Sequence, residues 1–167
     1  LQRLVDAFGD YARPDRGRSE PLTLAPLVGG VVDLWSAGET GVTFEVQLGH
    51  GEARPLGDPG QLQQVLNNLV RNAREAHPEG SPKLTVKTRV EEERAGAWVV
   101  LEIADDGPGF DPAILPRVFE PYASTKPRGT GLGLAIVHRL IERMGGRIDA
   151  ENAPGGGARV RIWLTMR

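Results

Sequence analysis

The sequence contains no cysteine, which excludes disulfide bonds and thiolate metal sites and is typical of a protein from a reducing compartment. No apolar run approaches ~20 residues, and the first residues lack the basic start and apolar middle of a signal peptide. We therefore expect a soluble, cytoplasmic domain. Positive and negative charges nearly balance, since the chain has 20 Lys and Arg and 22 Asp and Glu, which gives a net charge of -2. This balance argues against nucleic acid or an anionic membrane as the main partner, so any anionic ligand must be held by local geometry.

The chain has 167 residues, of which 40% are hydrophobic, and this is enough to bury one core. The apolar spacing predicts helices, and alternation predicts strands, with glycine and proline between them. Strand pairs separated by short turns exclude a purely parallel sheet, so we predict an α/β fold: a two-layer sandwich with a mixed sheet and helices on one face. The predicted helices span 22–35, 59–76 and 132–144, and the predicted strands span 42–48, 84–90, 98–104, 147–151 and 158–164.

The helix predicted over residues 59–76 carries Asn67, Asn68 and Asn72, although an asparagine amide competes for backbone groups and is poor in a helix interior. Asn68 and Asn72 are four residues apart, so they share a helix face at the edge of the apolar stripe. They would line a groove beside the core. Taken alone, the pair also fits two solvated amides.

Asp105 stands at the end of an apolar strand and is followed by Asp106, Gly107, Pro108 and Gly109. The glycines would let a ligand approach the backbone. A carboxylate that accepts a hydrogen bond from an exocyclic amine can recognise adenine and reject bases that lack this donor. By itself the segment also fits an ordinary turn.

The most specific segment is GTGLGL, residues 129–134, at the start of the last predicted helix. Glycines let successive backbone N–H groups converge, and a helix N-terminus adds partial positive charge, so the segment predicts a phosphate site. It matches neither the P-loop nor the dinucleotide-binding glycine pattern. Lys126, one of three lysines, lies just upstream, where it fits either a phosphate contact or a solvated loop residue.

In their order along the chain, these segments resemble the ATPase superfamily of gyrase, the Hsp90 chaperone, histidine kinases and the MutL mismatch-repair protein. The N box is matched by QLQQVLNNLVRNAREA, the first glycine box by DDGPGF, the F box by VFEPYASTK, the second glycine box by GTGLGLAIV and the closing glycine box by PGGGARVRIWL. Within the superfamily, FEPY and GTGLGLAIV are similar to sensor histidine kinases, and the whole is similar to the nitrogen-regulation (NtrB/NtrY) subgroup. The resemblance covers residues 22–167 and implies a Bergerat-type ATP-binding fold. Residues 1–13 resemble the end of a dimerisation-hairpin helix, with residues 14–21 as a linker.

The resemblance implies that Asn72 ligates Mg²⁺, that Asn68 lies beside the phosphates and that Asp105 binds the adenine amine. Lys126 and the backbone of residues 129–133 would hold the triphosphate, with residues 111–130 as a mobile lid. An oxygen-only magnesium site that retains several waters agrees with these residue types. The implied ATP-binding set is Asn68, Asn72, Asp105, Gly107, Gly109, Lys126, Gly129, Thr130, Gly131, Leu132, Gly133 and Leu134, with Asn68 and Lys126 as the catalytic residues.

Three positions depart from the family pattern. Hydrolases of the superfamily usually have Glu at the position of Asn68, and an amide cannot be the general base that activates water. This departure favours a kinase over an ATPase. Ala158 stands where a threonine often follows the closing glycine box, and Glu75 stands where many kinases have a phosphate-contacting lysine. Both departures predict weaker nucleotide binding than is typical.

The family motif around the phosphorylated histidine is absent, and His50, His77 and His138 are better interpreted as structural or solvated. We therefore expect a protein-histidine kinase catalytic domain that acts on a histidine of a separate dimerisation domain, with a response-regulator receiver domain downstream. The alternatives are a stand-alone ATPase of the superfamily and a degenerate nucleotide-binding module used for partner contacts. The sequence leaves open whether the parent kinase is soluble or anchored in a membrane.

Overall fold

The structure is a computed structural model that describes residues 5, 18–123 and 131–166. Its elements alternate between strands and helices, as the sequence predicts. The bounds are β1 (Glu20–Pro21), α1 (Leu24–Ser36), β2 (Thr43–Gly49), β3 (Leu56–Gly57), α2 (Pro59–Ala76), β4 (Lys83–Glu93), β5 (Gly96–Asp105), a 3₁₀ turn (Leu115–Arg117), α3 (Gly133–Arg143), β6 (Arg147–Asn152) and β7 (Ala158–Thr165). The helix predicted at the N-terminus lies outside the described residues, apart from Val5.

The main sheet has five strands in the order β2-β4-β5-β7-β6. β2 pairs with β4 in parallel, whereas the β4–β5, β5–β7 and β6–β7 pairs are antiparallel. The mixed sheet predicted from the hairpin-like strand pairs is therefore confirmed.

The two faces of the sheet differ in chemistry. Alternate residues of the central strands, among them Leu84, Leu101 and Ile162, pack with apolar residues of all three helices in one core. The residues between them point the other way and include Val100, Trp98 and Trp163 besides charged residues, which pair across strands in contacts such as Arg161 with Asp149. The helices therefore cover one face, as expected for a two-layer sandwich.

The β4–β5 hairpin is longer than the sequence predicts. Four of the six residues 91–96 (EEERAG) are charged, and this segment was expected to form the turn. Instead, Glu91 pairs with Trp98 in the ladder, and only Arg94 and Ala95 lie between the strands. The charges are tolerated because they have partners on the outer face: Glu93 accepts hydrogen bonds from Arg147 and from the indole of Trp98. Two hydrogen bonds hold the pKa of Glu91 below its usual value. The larger effect comes from the Trp163 indole, and the next from Arg89.

α2 begins where the sequence predicts. The Asp58 carboxylate accepts from the backbone N–H of Gln61 at 2.9 Å, and Pro59 occupies the first helical position. Such a cap contributes about 1 kcal/mol to stability. The helix ends at Ala76, and His77 follows in an extended conformation ahead of Pro78.

β1 and β3 form a separate antiparallel pair of two residues each, which the sequence analysis did not predict. Glu20 and Pro21 form β1, the first strand of this pair, and directly precede the predicted catalytic domain. Leu22 follows as a buried residue whose backbone N–H donates to Pro55 at 2.7 Å. Two-residue strands have no periodicity to detect, and for this reason the pattern rules miss them. Within the described residues, no helix has the length and apolar character needed to cross a membrane.

Candidate functional site

The three asparagines of α2 have different surroundings. Asn67 Oδ1 accepts a hydrogen bond from the Trp35 indole at 2.9 Å, so this residue joins α2 to α1. Asn68 Oδ1 accepts from Arg71 at 3.2 Å on the same helix. Asn72 lies against the start of α3, where a Cβ added to Gly133 would be 3.2 Å from Asn72 Oδ1 and 3.3 Å from Nδ2. Asn72 is therefore the asparagine that meets the predicted phosphate-binding segment.

The start of α3 requires glycine at position 131 and is tightly packed at position 133. Gly131 has a positive φ of 71°, and a Cβ there would lie 2.5 Å from the Cα of Tyr122. Gly133 is the first residue of the helix and has no room for a side chain larger than hydrogen without pressing on Asn72. The predicted function of these glycines, bare backbone at a helix N-terminus, agrees with this packing.

The two leucines of the segment contribute differently from the glycines. Leu132 is 1% exposed and belongs to the core, and Leu134 packs against that core as a half-buried residue. Their side chains thus anchor α3, and only their backbone groups remain as possible ligand contacts. Lys126, Gly129 and Thr130, the other residues predicted to hold the triphosphate, lie outside the described residues.

Asp105, the last residue of β5, is held by backbone donors. Its Oδ1 accepts from the N–H of Gly107 at 2.9 Å and from the N–H of Ala158 at 3.1 Å. Gly157 packs so closely that a Cβ there would lie 1.9 Å from the Asp105 carbonyl oxygen. Among the described residues, no hydrogen bond reaches Asp105 Oδ2. The carboxylate is therefore fixed through one oxygen and presents the other.

The first glycine box is braced by Asn152, a residue that the sequence analysis did not single out. Asn152 Oδ1 accepts from the N–H of Phe110 at 2.7 Å, and its Nδ2 donates to the Phe110 carbonyl at 2.9 Å. Gly109 has a φ of 81°, and a Cβ there would lie 2.6 Å from Asn152 Oδ1. Asn152 is the last residue of β6 and carries no charge or periodicity signal, so only its position at a strand end could have suggested this role.

The C-terminal half of α2 connects the start of α3 with the end of β5. Asn72 meets Gly133, and His77, five residues or about 7.5 Å further along the helix axis, faces Asp106 with Nε2 3.8 Å from Oδ1. Asp106 Oδ1 also accepts from the N–H of Lys83 at the start of β4. The structure therefore brings Asn72, Gly133 and the Asp105–Asp106 pair to one end of the molecule.

The three histidines have structural contacts, in agreement with the sequence analysis. His50 is buried and its Nδ1 lies 2.6 Å from Thr88 Oγ1. His77 Nδ1 accepts from the N–H of Glu79 at 3.3 Å and from that of Ser81 at 3.4 Å. His138 stacks on Phe119 of the F box, with ring centroids 5.3 Å apart.

Ala158 and Glu75, the two remaining departures, have different surroundings. Ala158 lacks a side-chain hydroxyl, but its backbone N–H already orients Asp105. Glu75 is exposed on α2.

Comparison with protein-family models shows that residues 57–167 match the histidine kinase-, DNA gyrase B-, and HSP90-like ATPase family. The matched region begins just before α2 and contains every residue predicted to bind ATP.

Curated relatives have similar sequences. The nitrogen regulation protein NtrY of Azorhizobium caulinodans is 34% identical over 98% of this chain, and the sensor histidine kinase ZraS of Klebsiella oxytoca is 36% identical over 99%. The chain spans 22% of the first protein and 36% of the second, so it corresponds to a part of each.

Solved structures also superpose on this chain. Full-length ShkA in complex with AMPPNP superposes with a TM-score of 0.79 at 28% identity, covering 97% of this chain and 35% of that one. The catalytic domain of the histidine kinase ThkA superposes with a TM-score of 0.75 at 26% identity, covering 89% of this chain and 96% of that one.

Proposed function

This chain belongs to the histidine kinase-, DNA gyrase B-, and HSP90-like ATPase family, as the ATP-binding catalytic domain of a sensor histidine kinase, and on that premise we propose how it acts. It holds ATP with Mg²⁺ and presents the γ-phosphoryl group to a histidine on a separate dimerisation domain. The observation that carries the proposal is the contact between Asn72 and Gly133, since it joins an oxygen ligand to a helix N-terminus suited to phosphate.

Asp105 is proposed to read the adenine. With Oδ1 occupied by the N–H groups of Gly107 and Ala158, Oδ2 is the atom left to accept a hydrogen bond from the exocyclic amine. Gly107 and Gly109 keep the surrounding backbone bare, so that the base can approach. The backbone N–H of Ala158 supports this geometry without the hydroxyl that many relatives have at that position.

Asn72 is proposed as the magnesium ligand and Asn68 as its neighbour beside the phosphates. Amide oxygens on one helix face suit this hard cation, which retains waters and binds phosphate oxygens as its other ligands. The metal would neutralise charge on the phosphates. The backbone of residues 129–133 would receive the phosphate oxygens, Lys126 would add a positive charge, and Leu132 and Leu134 would anchor the segment in the core.

The transfer itself would depend on positioning and charge stabilisation, which are the main contributions a protein makes to phosphoryl transfer. A neutral histidine ring nitrogen already carries the lone pair that attacks phosphorus, so no base is required to activate it. The bond from the γ-phosphorus to the bridging oxygen breaks, a phosphorus–nitrogen bond forms, and ADP leaves. Water, in contrast, needs a base, and the amide of Asn68 cannot be one.

The wider assignments rest on the same resemblance. Residues 1–13 are proposed as the end of a dimerisation-hairpin helix, residues 14–21 as a linker and residues 22–167 as the catalytic domain. A receiver domain would accept the phosphoryl group from the histidine, and the domain would act in the cytoplasm. NtrY is one of the similar proteins, and the proposed subgroup is therefore the nitrogen-regulation NtrB/NtrY type.

The test is to mix this chain with the dimerisation domain of the same kinase and ATP labelled on the γ-phosphate. Acid-labile, base-stable label on the histidine is the expected result. If ATP binds but no label reaches histidine, the kinase assignment fails. Steady release of labelled phosphate without a partner would instead indicate a stand-alone ATPase.

A further inference from the structure

Strand β2 forms an open edge of the main sheet. It pairs only with β4 among the strands of the described structure, and six of its seven residues are exposed. The backbone N–H and C=O groups on its free side are therefore available for another strand. An open strand of this length is an interaction surface unless charge or shape protects it.

The helix layer leaves the end of this strand uncovered. Val46 and Leu48 point to the same side of the sheet as the helices, yet they are 40% and 38% exposed. Phe44, on the same side, is half-buried against the core. Three apolar side chains thus stand in a row along an open strand.

We propose that β2 is a self-association surface, on which β2 of a second copy of this chain pairs in antiparallel orientation about Val46. The sequence TFEVQLG is complementary to itself in that register. Val46 faces Val46 of the second copy, Phe44 faces Leu48 on the apolar side, and Glu45 faces Gln47 on the polar side. Two five-stranded sheets become one of ten strands.

The polar side supports this register. Gln47 Nε2 already donates to Glu45 Oε1 within the strand at 3.1 Å, and the pairing offers the same carboxylate–amide contact between copies. The two Glu45 carboxylates would be diagonal neighbours, and Lys83 lies 3.4 Å from Glu45 Oε2 in each copy, so their repulsion is reduced. A net charge of only -2 adds little repulsion between whole molecules.

One strand pair is a small interface, so the association is weak, with a dissociation constant on the order of 0.1–1 mM. Disulfide cross-linking can detect such a weak association. Because the chain has no cysteine of its own, only an introduced cysteine can form the disulfide. Directly opposed residues of an antiparallel ladder have Cα atoms about 4.5–5.5 Å apart, within the range that a disulfide spans.

The first experiment oxidises Val46→Cys at several protein concentrations and follows the disulfide-linked dimer on non-reducing gels. The matched control is Leu34→Cys, an exposed apolar residue of α1 (59% exposed). We expect Val46→Cys to form dimer at least about tenfold faster than Leu34→Cys, because the pairing holds the two thiols together. Equal rates would overturn the proposal.

The second experiment tests the register. A mixture of Glu45→Cys and Gln47→Cys chains should form the mixed dimer in preference to either homodimer, since these positions face each other only in the proposed pairing. Random products would contradict it. Sedimentation of Val46→Lys should show about tenfold weaker self-association than the unchanged chain, because like charges then meet at the centre. ATP binding by Val46→Lys should stay unchanged, which separates this inference from the proposed nucleotide site.

Discussion

Asn67 and Asn72 lie on the same helix and have different neighbours, so they provide a matched pair for testing the site. Asn72→Ala removes the proposed metal ligand beside Gly133, and we expect ATP affinity in the presence of Mg²⁺ to fall by about 100-fold, the cost of losing a contact to a charged group. The Mg²⁺ dependence of binding should disappear as well. Calorimetry with ATP, with and without Mg²⁺, measures both quantities.

Asn67→Ala is the control for this experiment. It removes the acceptor of the Trp35 indole and should lower the free energy of unfolding by about 1 kcal/mol while leaving ATP affinity unchanged. Unchanged affinity in Asn72→Ala, or an equal loss in both variants, would count against the proposed magnesium site.

Asp105→Asn tests how the base is read. The side-chain oxygen can still accept from Gly107 and Ala158, so the fold should be retained. The new amide donates where the carboxylate accepted, and it would face the exocyclic amine of adenine with a second donor. We expect ATP to bind about 30- to 100-fold more weakly and the preference for ATP over GTP to shrink, since guanine has an acceptor at that position.

Competition titrations with both nucleotides measure this change. A variant that keeps its melting temperature and its full preference for ATP would show that Asp105 does not contact the base.

At the scale of elements, the start of α3 is tied to the end of the F box. The N–H of Tyr122 donates to the carbonyl of Gly131 at 2.8 Å, and Tyr122 itself has a positive φ of 64°. A non-glycine residue in this conformation costs about 1–2 kcal/mol, so the contact is maintained against strain. Such strain is common at functional sites.

Gly131→Ala should disrupt this contact. The added Cβ would meet the Tyr122 backbone at 2.5 Å, and alanine is strained at a φ of 71°. We expect the free energy of unfolding to fall by about 2 kcal/mol and ATP affinity to fall as well, because the backbone proposed to bind the phosphates is displaced. Chemical denaturation and calorimetry measure the two effects.

Gly30→Ala is the matched control. Gly30 lies in α1, and a Cβ there would meet nothing within 4 Å. Alanine is the better helix former, so this variant should gain up to about 1 kcal/mol in stability with no change in ATP affinity. A Gly131→Ala chain that is as stable as Gly30→Ala and binds ATP normally would contradict the described geometry.

The elements that could be predicted from the sequence have either a periodic pattern of apolar residues or a helix cap. α2 could be placed because Asp58 and Pro59 mark its start and an apolar stripe follows. β1 and β3 could not, since two residues show no alternation. The β4–β5 turn was predicted too long because three glutamates suggested a loop, and only the structure shows the Arg and Trp partners of Glu91 and Glu93.

At the scale of the whole molecule, the fold separates chemistry between faces and ends. One face of the sheet and the three helices form the core, and the other face carries cross-strand pairs such as Arg147, whose guanidinium lies 4.8 Å from the Trp98 ring centroid. The candidate site occupies the end where β5 stops and α3 starts. The self-association surface lies on the β2 edge, separate from the site residues in the chain and in the sheet order.

The residue types of the site were readable from the sequence because Asp105 and the start of α3 lie among glycines, and because asparagines are unusual in a helix interior. Their convergence was not, since no local pattern says that Asn72 will touch Gly133, or that Ala158 N–H will orient Asp105. The order of the motifs along the chain suggested this convergence only because it resembles the order in a known family. Asn152 and Tyr122 were missed because their roles depend on backbone contacts that exist only in the folded chain.

The central claim is that α2, the end of β5 and the start of α3 hold one nucleotide together, and amide NMR tests it most directly. ATP with Mg²⁺ is titrated into the ¹⁵N-labelled chain while the Asn72 side-chain amide and the backbone amides of Gly107 and Gly133 are followed. The account predicts that all three move together and fit a single dissociation constant. Movement of only one of them, or separate constants for the three, would contradict it.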